Sequence, residues 1–200
     1  MYIKAGRQEQ TMIITICAVC LLARMKNYKL KHVFNSWTFY PVLITQFILI
    51  FFQLSVFFGT YYFVQFAGVL ERAIIISFFF SIFAYQLYKP AIIGSVSIVF
   101  GTILNEFVIA QNGGRMPVFP SLSYLTGYVT PEAFGTADTL HILGSEATKF
   151  KFLTDYIDVG YSILSVGDVL IHLFTFLMLY ATIRASNIRY GSIQETSQKC

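Results

Sequence analysis

Charge is what this chain has least of. Of its 200 residues only 12% are Asp, Glu, Lys or Arg, against ~25% in an average soluble domain. Cysteine is scarce too, at three residues, which excludes a disulfide framework. Cys17 and Cys20 lie in an apolar run without the polar context of a redox or metal motif, and Cys200 ends a tail with no C-a-a-X lipidation pattern. The chain has no Walker or dinucleotide glycine motif, so nucleotide binding has no support. His32, His141 and His172 show no ligand spacing such as H-E-x-x-H, so no metal and no cofactor is expected. The net charge of +4 is small and dispersed, which excludes a nucleic-acid-binding arm.

What is abundant is apolar and aromatic: 56% hydrophobic residues, with 21 Phe and 13 Tyr. Mean hydropathy is +0.65, which leaves too little polar surface to cover a water-soluble globule. The composition indicates an all-α integral membrane protein, with the lipid bilayer as its first partner. A spanning helix needs ~20 mostly apolar residues. Five runs are expected to span, at about 8–24, 39–58, 73–88, 91–110 and 166–183. The first is the shortest, but no A-x-A-like cleavage pattern follows it, so it reads as a retained helix. Trp37 and Tyr40 flank the second as interfacial aromatics, and Pro90 opens the fourth at a first helical position.

Charge sets the orientation. Arg24, Lys26, Lys29 and Lys31 lie between the first two spans with no carboxylate among them, so that loop is expected in the cytoplasm. Five spans then put the N-terminus outside and the tail 184–200 in the cytoplasm. Residues 111–160 become a long extracytoplasmic loop before the last helix. Its interspersed Phe, Tyr and Leu residues predict a structured segment folded back on the outer membrane surface.

The polar residues inside the spans fall on faces. Gly94, Ser97, Gly101 and Asn105 share one side of the fourth run, and Ser95, Thr102 and Glu106 another. Small residues let helix backbones approach, and amides and hydroxyls bond across helices. Asp168, His172, Thr175 and Thr182 align on the fifth run. An acid at membrane depth costs at least ~2.5–3.5 kcal/mol, so Glu106, Asp168 and His172 are functional candidates. Glu106 lies near the outer helix end, within reach of Arg115. Ser165-Val166-Gly167-Asp168 also matches the [ST]-x-x-[DE] capping box, with Ser165 as N-cap and a helix from Val166 to Ile183. The string Gln111-Asn112-Gly113-Gly114-Arg115-Met116-Pro117 reads first as a helix stop. Its glycine turn beside Arg115 would also suit an anion such as a headgroup phosphate.

Asn112-Gly113-Gly114-Arg115-Met116-Pro117, His141, Phe152-Leu153-Thr154-Asp155 and Ser165-Val166-Gly167-Asp168 together resemble an uncharacterised family of small bacterial multi-pass membrane proteins. The resemblance covers most of the chain. It implies the topology, a bacterial plasma membrane and these candidate sites, but no activity. The chain departs from the family pattern at Thr154, where a Gly is usual, in the Asp158–Gly160 region, where a Pro is usual, and near Arg24, where a Gly pair is usual. A looser likeness is to the lipoprotein signal peptidases, which pair two aspartates near the outer membrane surface. Asp155 and Asp168 are placed similarly, although their G-N-x-x-D-R motif is absent here.

Three functions are therefore weighed. In the favoured one, Asn112, Gly113, Gly114, Arg115, His141, Glu106 and His172 hold a lipid headgroup, a peptide or a partner membrane protein. In the second, Asp155 and Asp168 share a proton and activate water, as in a membrane aspartyl peptidase. In the third, Asp168, His172 and Glu106 relay protons for transport, against which stands the absence of an inverted repeat.

Overall fold

The computed structural model describes residues 2–57, 67–127, 141–160 and 162–197. The chain is mostly helical: α1 (Tyr2–Met25), α2 (Lys31–Phe34), α3 (Tyr40–Phe57), α4 (Ala67–Ser77), α5 (Phe79–Tyr85), α6 (Tyr88–Gln111), α7 (Leu122–Leu125) and α8 (Val166–Ser197). Four strands of two or three residues depart from an all-α fold: β1 (Met116–Val118), β2 (His141–Leu143), β3 (Ile157–Asp158) and β4 (Ile163–Leu164). All four lie between α6 and α8, in the segment expected to be a structured loop.

Among the described residues two helices are long and apolar enough to cross a membrane, Tyr88–Gln111 and Val166–Gly191. The expected count of five is not reached there. The third run is broken at Phe78, which divides α4 from α5. Phe78 is fully buried, its ring edge-on to Phe174 at 5.9 Å. In the first run the apolar helix is Ile14–Met25. Two boundaries also move. The fourth helix starts at Tyr88, so Pro90 is third rather than first; its missing N–H is still one of the four that a helix start leaves unbonded. The last helix begins at Val166 as its capping box predicts, but it runs past Ile183 to Ser197.

α6 and α8 pack antiparallel and form the backbone of the molecule. Gly94 faces Phe174, where an added Cβ would lie 3.0 Å from the Phe174 Cα. About two turns further along, Gly101 meets Gly167, and a Cβ on either would collide with the other's carbonyl. The small-residue face of α6 is thus the α8 interface, whereas Ser95, Thr102 and Glu106 are exposed. A core of Val19, Val42, Ile74, Phe78, Met178 and Leu179 brings α1, α3, α4 and the α4–α5 turn onto α8.

The two ends of the bundle differ in chemistry. At one, the Asn187 side chain bonds both the N–H (2.7 Å) and the C=O (3.2 Å) of Lys29. Ser186 bonds Tyr85 at 3.2 Å there, and the Arg189 guanidinium lies over the Tyr85 ring. The turn before α2, the start of α6 and the late part of α8 therefore share that end, with Lys29, Lys31, Lys89, Arg184 and Arg189 all exposed. The opposite end carries the strands and the start of α8. Gln46, Gln53 and Thr60 repeat every seven residues, a spacing that predicts one shared helix face; Thr60 and the Gln53 side chain lie outside the described residues.

Candidate functional site

The loop layer is built around β1. β2 pairs with it in parallel, Met116 opposite His141, and Asp155 bridges its other edge opposite Val118. The Asp155 N–H donates to Pro117 C=O at 3.1 Å, and its own C=O accepts from Phe119 N–H at 2.8 Å. This register brings two distant side chains together across the middle strand. His141 Nε2 lies 3.8 Å from Asp155 Oδ2, with the side chains only 7% and 3% exposed. At that separation the pair is electrostatic, and it is an ion pair only when His141 carries a proton.

The start of α8 forms the second cluster. The Asp168 N–H donates to Ser165 Oγ at 2.9 Å, and the Ser165 N–H donates to Asp168 Oδ2 at 3.0 Å. Both reciprocal bonds of a capping box are present. A third residue completes it from α6: Asn105 Nδ2 donates to Asp168 Oδ1 at 2.9 Å, and Asn105 Oδ1 accepts from Ser165 Oγ at 2.8 Å. The Gly101–Gly167 contact makes this reach short enough, because a Cβ on Gly167 would strike the Asn105 amide oxygen.

A third cluster fastens the loop. Asp158 accepts from the N–H of Ser121 (2.6 Å), Ser123 (2.9 Å) and Gly160 (2.8 Å) and from Ser123 Oγ (2.6 Å). Burial by itself raises the Asp158 pKa, but these bonds outweigh it and hold the carboxyl below its ordinary 3.8.

A family model described as a family of unknown function, DUF5317, matches residues 10–180. This chain belongs to DUF5317. No curated protein and no solved structure matches it. The matched stretch of the DUF5317 chain holds all three clusters and the α6–α8 crossing, so each motif quoted from the sequence lies inside the family's span.

Within the DUF5317 chain the expected site residues divide into builders and exposed groups. Asn112 is a clasp: its amide exchanges two bonds with the Lys149 backbone, at 3.0 and 3.1 Å, and donates to Val108 C=O. Gly113 and Gly114 have positive φ, 71° and 82°, and the Gly114 N–H returns to Ile109 C=O at 2.9 Å. That is a helix stop of the Schellman kind, and it turns the Gly114 N–H inward rather than toward an anion. Arg115 and Glu106 are exposed, and no ion pair joins them. His172 is half-buried, with Nε2 buried and lacking a hydrogen-bond partner. Asp155 and Asp168 face different partners, His141 and the Asn105–Ser165 pair. Cys17 and Cys20 are free thiols, the first exposed and the second half-buried. Among the described residues no group of three or more His, Cys, Asp or Glu could hold a metal. Sequence reasoning missed Asp158 and the Asn105–Asp168 bond; the only advance signal was Asn105 lying on the small-residue face.

Proposed function

We propose that this DUF5317 chain is a multi-pass protein of a bacterial plasma membrane, and that its loop layer on the outer face binds the polar part of a lipid, a peptide or a partner membrane protein. The membrane reading rests on where the apolar surface lies. The most apolar stretch of α6 has a mean hydropathy of 1.9 yet is only 17% buried, and that of α8 has 1.8 and is 39% buried. A core helix of a water-soluble protein would be covered. Instead Ile92, Val96, Val99, Phe100 and Ile103 of α6 are exposed, a contiguous apolar surface that soluble monomers rarely carry. Exposed Phe47, Phe51, Ile76, Phe79 and Phe83 on α3, α4 and α5 extend it and favour further crossings by those segments. The basic end then faces the cytoplasm, with the N-terminus outside and the C-terminus inside.

The single observation that carries the binding reading is the division of labour in the loop. Asn112, Asp158 and Asp168 are engaged in internal bonds. What faces outward from that scaffold is a mixed surface of Arg115, Lys149 and Lys151 with Leu125, Phe150 and Phe152. A rigid layer presenting cations beside apolar side chains suits an amphiphilic, anionic ligand. Hydrolysis is the less supported reading, because the two Asp168 oxygens already accept from Asn105 and Ser165.

The test uses the full chain reconstituted in lipid nanodiscs, with a lipid-anchored peptide and phosphatidylglycerol as probes. Retention of either probe that Arg115→Gln and Phe152→Ala weaken together, without turnover, supports binding. Turnover abolished by both Asp155→Asn and Asp168→Asn would replace binding by hydrolysis.

A further inference from the structure

At the basic end of the bundle a part-open cavity of about 150 Å³ lies among α1, α2, α3, α4 and α8. A dry apolar cavity of this size accommodates about six carbon atoms, as one that holds benzene does. Its deep wall is Val19, Val42, Phe78 and Leu179, all buried. Its mouth is Leu30 and Phe34, which are 38% and 53% exposed. From Thr175 to Ile183, both lining residues, the wall follows α8 for two turns, about 12 Å at 1.5 Å per residue. The cavity is therefore a slot running from the middle of the bundle to the basic end.

Three cations adjoin lining residues at this end. Lys29 and Lys31 are the chain neighbours of Leu30, and Arg184 is the neighbour of Ile183; all three are exposed. No carboxylate lies in the segment from Arg24 to Phe39. Asn187 bonds the Lys29 backbone from α8 and so holds this segment against the slot. Hydrocarbon depth and headgroup-level positive charge occur together at one opening, the pattern that selects an anionic amphiphile.

We propose that this part-open slot takes a segment of about six carbons of one acyl chain of an anionic glycerophospholipid, with its phosphate beside Lys29, Lys31 and Arg184. The site lies at the opposite end from the loop layer and is independent of the ligand proposed there. It rests only on the membrane reading. Cys20, Gln46 and Thr175 are also lining residues, so adducts formed there by a probe on the acyl chain would report the slot.

The experiment is native mass spectrometry of the full chain in neutral detergent, titrated with dioleoyl phosphatidylglycerol or dioleoyl phosphatidylcholine. Phosphatidylglycerol is expected to be retained at least about tenfold better, since each cation near an anionic headgroup contributes about fivefold. Lys29→Gln with Lys31→Gln and Arg184→Gln, all surface changes, should level the two lipids. Val42→Phe should abolish retention of both by filling the slot. Should Val42→Phe fail to fold, phosphatidylglycerol with a diazirine in its acyl chain gives the same information on the unaltered protein. Adducts at Cys20, Gln46 or Thr175 support the slot; adducts confined to outward-facing Phe47 and Ile92 overturn it. Equal retention of the two lipids by the unaltered chain also overturns it. Alkaline carbonate extraction of cell membranes separates the two levels. Release of the chain defeats the membrane reading itself, whereas a retained chain without lipid discrimination defeats the slot alone.

Discussion

Asp168 shows how one residue is claimed by two neighbours through three bonds. Its two oxygens accept from the Asn105 amide and the Ser165 N–H, and its own N–H donates to Ser165 Oγ. Asn105→Ala leaves a half-buried carboxylate oxygen without its donor, and a loss of about 1–3 kcal/mol is expected. Asp168→Asn keeps one acceptor but turns an NH₂ toward another donor, which should cost about 1–2 kcal/mol. The double variant should be less damaging than the sum, because the two belong to one network. Thermal unfolding in detergent reads all three, and additive losses would dissolve the network. Asp158 and His32 give opposite sides of the pH argument. Bonds from Ser123, Ser121 and Gly160 hold Asp158 below 3.8. The unfolded chain then takes the proton more readily, so this stabilisation is present above about pH 4 and lost as pH falls through the native value. Asp158→Asn should flatten that acid limb. Burial first, then Lys31 and Lys29, push His32 below 6.5. Here too the unfolded state binds the proton first, so α2 keeps its full stability above pH 6.5 and loses it as pH falls below. Protection factors of the α2 amides, taken against the base-catalysed intrinsic exchange rate, should fall between pH 7 and 5, and stay level in His32→Phe.

At the scale of elements, the α6–α8 crossing depends on glycine for close approach rather than for a special φ. If the crossing lies in a bilayer as proposed, the hydrophobic effect gives its helices no reason to pair, and contact between backbones replaces it. Gly101→Ala places a methyl against the Gly167 carbonyl and should cost about 1–3 kcal/mol by overpacking. Gly191 is the internal control, since nothing lies within 4 Å of its added Cβ. Gly191→Ala should stabilise α8 by about 0.5–1 kcal/mol through helix propensity. Equal effects of the two substitutions on the melting temperature would contradict this packing. Much of this crossing is readable in advance. Gly94, Ser97, Gly101 and Asn105 repeat at helical spacing, and the capping box marks the Val166 start. The break at Phe78 is not readable, because Ala73–Tyr88 is mostly apolar, interrupted only by Ser77, Ser81 and Gln86, and contains no Pro or Gly. What turns the chain there is the burial of Phe78 against Phe174, a contact between residues far apart in sequence.

For the whole molecule, the segregation of charge is the quantity to test. Single cysteines in a background without Cys17, Cys20 and Cys200 can be probed in cells with a membrane-impermeant thiol reagent. Position 29 should be protected and position 121 labelled; the reverse would place the loop layer in the cytoplasm.

What can be read directly from residue order is whatever a few neighbouring residues settle among themselves. Composition and run length indicate helices with an apolar exterior. Three-residue spacing forms the Ser165–Asp168 cap, and successive glycines end α6 at Asn112. Those features depend on backbone groups one turn apart, whose geometry is the same in any helix. The pairings that define the candidate site are of another kind. Asn105 meets Asp168 across 63 positions, and His141 meets Asp155 only because β1 lies between their backbones in one particular register. Asp158 finds Ser123 across 35 positions. A polar side chain buried on folding takes a donor or acceptor from whichever element packs beside it. Which element that is follows from the α6–α8 approach and the β1 register, so these partners exist only once the chain has folded.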